Sequence, residues 1–263
     1  MGNYKTKKRF GQHFLNDYLV IEKLVNDINP KADDNIVEIG PGLGALTFPM
    51  LERIDALNVV EIDRDVIFRL EQRNDPRLTI HGVDALQFDF SSLLKEEEKL
   101  RVVGNLPYNI STPLIFHLLS FKEKISDMHF MLQNEVVKRI TAEPNTKAYG
   151  RLSVMAQYHC KTEYLFFVGP ESFDPPPKVD SAILRISPWE NRLDKAENEQ
   201  HLSQIVAQAF SMRRKTLRNN LKKLITAEQI ESLDIDPGKR AENLTTSDFV
   251  KLSNLFTELN NSK

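Results

Sequence analysis

From residue 35 to residue 132, short apolar runs alternate with stretches of helical periodicity, the rhythm of a doubly wound α/β domain. The runs at 35–39, 58–62, 78–81, 101–104 and 128–132 predict strands. Between them, 43–53, 64–73 and 112–120 predict helices, and 93–99 carries a weaker helical pattern. Pro49 predicts that the first of these is bent or shortened. Upstream, Val20, Ile21, Leu24, Val25 and Ile28 share one helical face. Downstream come a helix near 134–142 and a loop at 143–150 holding Pro144, Asn145 and Gly150. Two further runs, 163–168 and 179–186, predict a hairpin at the sheet edge. After Trp189 the pattern becomes polar and then wholly helical, with Leu202, Ile205, Val206, Ala209 and Phe210 on one face and a last helix near 246–258. The expected domains are therefore 1–190, an α/β domain with an N-terminal arm, and 197–263, a small helical domain.

Composition narrows this picture only slightly. The 41% hydrophobic content supports a real core, and 27% charged residues suit a water-soluble surface. A net charge of −2 gives no general attraction for nucleic acid, so such a role must rest on how the charge is distributed. Cys160 is the single cysteine, which excludes an intramolecular disulfide and fits a reducing cytoplasm. The basic start, Lys5 to Arg9, leads into no apolar leader segment, and no run is long enough to span a bilayer. The six histidines show no metal-ligand spacing with Cys160 or each other, so no metal is expected.

Candidate chemistry lies at the strand ends. Glu38-Ile39-Gly40-Pro41-Gly42-Leu43-Gly44 follows the first strand and opens a helix, the entry to a nucleotide-type site. Gly40, Gly42 and Ala45 also satisfy the dinucleotide pattern, so NAD and S-adenosylmethionine both remain open at this point. Glu61 closes the second strand, where an acid accepts from ribose hydroxyls in either cofactor, and Asp63 suits a helix cap. Asp84, after the third strand, is placed to accept from an adenine amino group. Asn105-Leu106-Pro107-Tyr108 ends the fourth strand, stiffened by the proline. An amide oxygen, a carbonyl and an aromatic ring in one row suit methylation of an exocyclic amine. Asn105 and Leu106 would accept from both amine hydrogens and aim the nitrogen lone pair, while Tyr108 stacks on the extruded base. Hydride transfer needs none of this.

Two other stretches stand out. The aromatic end of the N-terminal segment, Phe10 and Phe14, predicts that it docks rather than frays. Arg213, Arg214, Lys215, Arg218 and Lys222 crowd a stretch whose Leu217, Leu221 and Leu224 keep helical spacing, which predicts a basic helix face for phosphates.

Phe10-Gly11-Gln12-His13-Phe14-Leu15, the glycine loop, Asn105 to Ser111 and Phe173-Asp174-Pro175-Pro176-Pro177-Lys178-Val179 together resemble the ribosomal small-subunit RNA adenine dimethyltransferases, over nearly the whole chain and in that family's order. DNA adenine methyltransferases carry proline at the second place of the tetrapeptide; leucine here matches the ribosomal group. The resemblance implies a Rossmann-like class I S-adenosylmethionine-dependent methyltransferase domain with a small C-terminal helical, RNA-binding domain. It implies N6,N6-dimethylation of two adjacent adenines near the 3′ end of 16S ribosomal RNA, within the small subunit or its precursor, late in ribosome biogenesis. Carried over by motif, the cofactor contacts are His13, Leu15, Gly40, Glu61, Asp84 and Asn105. Asn105, Leu106 and Tyr108 would hold the target adenine, with Phe173 as the opposite wall. The His13 place is asparagine or histidine in the family. A cytoplasmic monomer with no membrane or DNA partner is expected. Two other classes compete: an NAD-dependent oxidoreductase, and a non-catalytic RNA-binding assembly or transcription factor on the same fold.

Overall fold

The computed structural model describes residues 13–94 and 98–261, so Lys5 to Gln12 and the middle of the 93–99 stretch lie outside the described residues. The chain divides into two compact units. The first runs to Val137 and takes in Glu163–Pro188; the second is Lys138–Thr162 with the chain from Trp189 onward.

The elements follow in order. Strand β1 (Phe14–Leu15) precedes helix α1 (Tyr18–Ile28), then β2 (Ile36–Ile39), α2 (Thr47–Leu51), β3 (Leu57–Val60), α3 (Arg64–Glu71) and β4 (Leu78–His81). Next are β5 (Leu100–Asn105), α4 (Ser111–Leu119), β6 (Ile125–Gln133), α5 (Asn134–Ile140), α6 (Arg151–His159), β7 (Cys160–Val168), β8 (Phe173–Asp174) and β9 (Ser181–Pro188). The remainder is helical: α7 (Glu199–Ala209), α8 (Leu217–Leu221), α9 (Ala227–Glu231) and α10 (Thr246–Asn261).

In the first unit, seven strands form one sheet in the order β4-β3-β2-β5-β6-β9-β7. The β2, β3, β4, β5 and β6 neighbours pair in parallel, and β9 runs antiparallel to β6. The chain moves outward from β2 to β4 and then crosses to β5 on the other side of β2. The carboxyl ends of β2 and β5 thus flank a topological switch point, where open α/β sheets bind ligands. The β7 and β9 neighbours lie at the sheet edge, as their sequence pattern predicts.

Local chemistry explains the boundaries. Asp17 caps α1 by accepting from the amides of Leu19 and Val20, and α1 buries Ile21, Leu24, Val25 and Ile28. Helix α2 starts at Thr47 rather than residue 43, which puts Pro49 in the first turn, where its missing N–H has no helical carbonyl to meet. Asp63 caps α3 through the Asp65 amide. Only a single 3₁₀ turn, Phe90–Leu93, stands at the start of the weak 93–99 pattern.

The second unit resumes at Trp189, close to the expected boundary, but it also takes in Lys138–Thr162, which the expected 1–190 domain had included. Tyr149, Val154, Met155 and Tyr158 pack with Leu202, Ile205, Val206, Phe249 and Leu252 in one buried cluster, so Lys138–Thr162 folds with the C-terminal helices. That apolar face of α6 has its partners in α7 and α10 and not in the sheet. The predicted basic helix is also shorter than expected. Only Leu217–Leu221 is helical, and residues 212–215 form a turn before it. Leu217, Leu221 and Ile225 are buried, while Arg213, Arg214, Lys215, Arg218, Lys222 and Lys223 are all exposed.

Candidate active site

A cleft of about 790 Å³ opens at the switch point in the first unit. Its floor is the glycine loop after β2. Gly40 and Gly42 have φ of +68° and +55°, a region that side-chain-bearing residues rarely adopt. A Cβ on Gly40 would stand 3.7 Å from the Asn105 carbonyl, and one on Gly42 would press on the Phe14 ring at 3.0 Å. The loop backbone can therefore approach a ligand closely on one side and the N-terminal segment on the other.

That segment is held in place. Phe14–Leu15 pairs antiparallel with Phe173–Asp174, the Asn16 amide donates to the Ser172 carbonyl, and the Ser172 hydroxyl donates to Asp17. The docking expected from Phe14 is real. His13 and Leu15 consequently line the cleft, with the His13 Nδ1–H donating to the Pro175 carbonyl at 2.8 Å.

Gly40, Glu61, Asp84 and Asn105 also line the cleft, so all six residues expected at the cofactor meet in one place. Glu61 Oε1 accepts from the amides of Ile62 and Asp63 at 2.8 Å each. Burial raises its carboxyl above the ordinary value, and these backbone donors oppose the rise. Asp84 closes a turn by accepting from the Leu86 amide. The Asn105 amide donates through Nδ2 to the His13 carbonyl at 3.2 Å. A carbonyl can only accept, so this contact fixes which end of the amide is nitrogen and leaves Oδ1 as the acceptor.

Beside it, Leu106 lines the cleft although the whole residue is buried. Tyr108 meets the Ser181 hydroxyl at 2.8 Å, which fixes its ring, and burial raises its phenol against that hydrogen bond. The His13 ring lies near-parallel to it, with centroids 6.1 Å apart.

One expected residue is not at the site. Phe173 is only 3% exposed and does not line the cleft; it packs in the sheet core with Leu15, Leu24 and Met131. Its place in β8 turns the ring inward, and Asp174 and Pro175 form the rim instead. Phe173 holds the N-terminal segment rather than a base.

Two features were missed from sequence. Ser181, the partner of Tyr108, comes from β9, 73 residues away, and nothing local marks it. Glu38 also lines the cleft, although it lies inside the apolar β2 and is 2% exposed. An acid within a buried parallel strand is itself a signal, because such runs are normally apolar throughout. Burial pushes its carboxyl up to about 8, with the Thr47 hydrogen bond at 2.6 Å opposing and the charge of Glu61 adding.

Among the described residues the cleft is lined by four carboxyl groups, Glu38, Glu61, Asp84 and Asp174, and by no lysine or arginine. This suits a cofactor bearing a sulfonium and an ammonium. The residues present fit S-adenosylmethionine. Among the described residues no cluster suited to a metal ion occurs, and no helix is long and apolar enough to cross a membrane.

In the second unit, the expected RNA-contacting cations differ among themselves. Arg213 is bound to Glu242 at 3.1 Å and donates to the Lys147 carbonyl, so it is partly a structural tie. Arg214, Lys215, Arg218 and Lys222 stand exposed around α8.

Comparison with known proteins agrees with this chemistry. Residues 3–258 match the model of the family described as "Ribosomal RNA adenine dimethylase". A ribosomal RNA small subunit methyltransferase A from Alcanivorax borkumensis is 54% identical, covering 97% of this chain and 91% of that protein. One from Hydrogenovibrio crunogenus is 55% identical, covering 97% and 98%. Among solved structures, a dimethyladenosine transferase from Plasmodium falciparum superposes with a TM-score of 0.80 at 27% identity, covering 95% and 98%. The 23S rRNA methyltransferase ErmE shares the fold, with a TM-score of 0.72 at 22% identity over 94% of this chain and 99% of that one.

Proposed function

Since the chain belongs to the ribosomal RNA adenine dimethylase family, we propose that it methylates two adjacent adenines in a hairpin loop near the 3′ end of 16S ribosomal RNA. The protein is an S-adenosylmethionine-dependent ribosomal RNA adenine dimethyltransferase. The finer reading is its substrate: the small subunit or its precursor in the cytoplasm, met late in assembly by a monomer.

The observation that carries the chemistry is the fixed amide of Asn105. S-adenosylmethionine supplies a methyl group on a positively charged sulfur, a strong electrophile. The adenine N6 lone pair is delocalised into the ring and is a poor nucleophile. Asn105 Oδ1 and the Leu106 carbonyl accept from its two hydrogens, which pyramidalises the nitrogen and aims the lone pair. These hydrogen bonds strengthen as the nitrogen gains positive charge. Tyr108, fixed by Ser181, offers a face on which the extruded base stacks. Transfer would form the N–C bond as the methyl–sulfur bond breaks, its electron pair staying on the sulfur that leaves neutral, and the surplus proton on nitrogen would pass to water.

The exposed cations around α8 supply phosphate contacts that position the RNA without reading its sequence. A non-catalytic assembly factor is disfavoured because Glu61, Asp84 and Asn105 all stand at the cleft.

The test is transfer of labelled methyl groups onto small subunits from a strain lacking the modification. Dimethylation of two adjacent adenines near the 3′ end of 16S RNA is expected. Label at other positions of 16S RNA only, or no label, would overturn the substrate assignment.

A further inference from the structure

Glu38 has no part in the chemistry described above, yet it is the most deeply buried acid of the cleft. It sits in the middle strand of the parallel sheet, below the glycine loop, with its carboxyl at the cleft wall. From α2 it meets only the Thr47 hydroxyl, and from beyond the end of β3 it faces the carboxylate of Glu61. Among the described residues the other titratable groups of the cleft are Asp84, Asp174, His13 and Tyr108, and no lysine or arginine is among them. A buried carboxylate beside another carboxylate, without a counter-cation, is costly, and the group that keeps its proton is the one farthest from water.

We propose that Glu38 holds a proton in the ligand-free cleft and gives it up when S-adenosylmethionine enters, the positive charge of the cofactor replacing the proton. The inference rests on the cofactor reading above. No bond other than the O–H of Glu38 breaks: the proton goes to buffer, and the carboxylate stays to neutralise the cofactor's charge. The hydrogen bond that Thr47 donates orients the carboxyl and favours its ionised form, but it supplies no charge. Cofactor affinity must then rise with pH below the value at which Glu38 ionises unaided, by close to tenfold per pH unit at the limit of one proton released.

The experiment is calorimetric titration of the full chain with S-adenosylmethionine in buffers of different ionisation enthalpy near neutral pH. The dependence of heat on buffer counts protons released. Close to one proton per cofactor is expected for the wild type, and none for Glu38→Gln. Thr47→Val provides a second variant if Glu38→Gln does not fold. It removes the bond that favours the ionised acid, so the rise of affinity should shift to higher pH. Binding without proton release in the wild type overturns the proposal. So does release that persists in Glu38→Gln, which would place the proton on His13 or another group. Absence of binding at any pH overturns the cofactor reading with it, whereas binding without release leaves that reading standing.

Discussion

The Asn105 side chain donates to the His13 backbone carbonyl across 92 residues of sequence, at 3.2 Å. Segment 13–15 therefore decides which way the amide faces. Asn105→Ala should lower the single-turnover methylation rate by about 10²–10³, the usual cost of one preorganised transition-state hydrogen bond. Asn105→Asp should be as damaging, because a carboxylate oxygen would then face the His13 carbonyl. A rapid-quench rate within threefold or so of wild type for either variant would remove this amide from the chemistry.

The proton on N6 needs no protein acceptor in this scheme. With saturating cofactor, the single-turnover rate should be flat from about pH 6 to 9. One candidate base at the cleft is His13, whose Nδ1 is engaged by Pro175 and whose Nε2 is the remaining ring nitrogen. A titration in that window, abolished by His13→Asn, would show that a base operates.

Glu61 is held by backbone amides on one oxygen, so its orientation is fixed before any ligand arrives. Glu61→Ala should weaken S-adenosylmethionine binding by about 1.5–3 kcal/mol, the scale of a charge-assisted hydrogen bond. Calorimetry on a variant with a wild-type unfolding profile is the check.

For the second unit, Arg214, Lys215 and Arg218 reversed to Glu should weaken small-subunit binding and flatten its salt dependence, by about 0.7–0.9 in log–log slope per lost phosphate contact. Cofactor affinity should not change. Arg213 is left out because reversing it would set it against Glu242 and disturb the fold. An unchanged slope would make this face ordinary solvated surface.

Glu38 also leaves a mark on stability. Unfolding returns its pKa from about 8 to 4.5, so between those values the native protein holds the extra proton. Stability of the ligand-free protein should fall as pH rises through that window, and Glu38→Gln should remove most of the slope. Thermal melts across the window, without cofactor, test this directly.

The parts of this site legible in sequence are those where backbone chemistry is local. The glycine loop, Glu61, Asp84 and the Asn-Leu-Pro-Tyr row each follow a strand end, and strand ends are marked by where apolar runs stop. Contacts closed over long stretches of chain leave no such mark. Tyr108 with Ser181 and Asn105 with His13 are visible only once β9 and β1 are placed. Phe173 was misplaced for a related reason: a motif gives the residue, but the pairing of β8 with β1 decides which way the ring points. Lys138–Thr162 was expected in the first domain because it lies there in chain order, whereas its packing with α7 and α10 is closed over a long stretch of sequence. At the other end of the sheet, Arg101 joins Asp34 and Asp127 while Arg185 donates to His129, a polar set whose members are scattered through the sequence.

The pairing of Phe14–Leu15 with Phe173–Asp174 sets an order of events during synthesis. The glycine loop and the Asn-Leu-Pro-Tyr row leave the ribosome early, but the strand that seats His13 leaves some sixty residues after Tyr108. Before it arrives the chain has passed through Lys138–Thr162, which belongs to the other unit, and β9 must still enter between β6 and β7. A nascent chain that stops short of Phe173 therefore carries most of the motif residues without the contact that orients Asn105. Competence for methyl transfer is therefore expected only once β8 has been made and paired with β1.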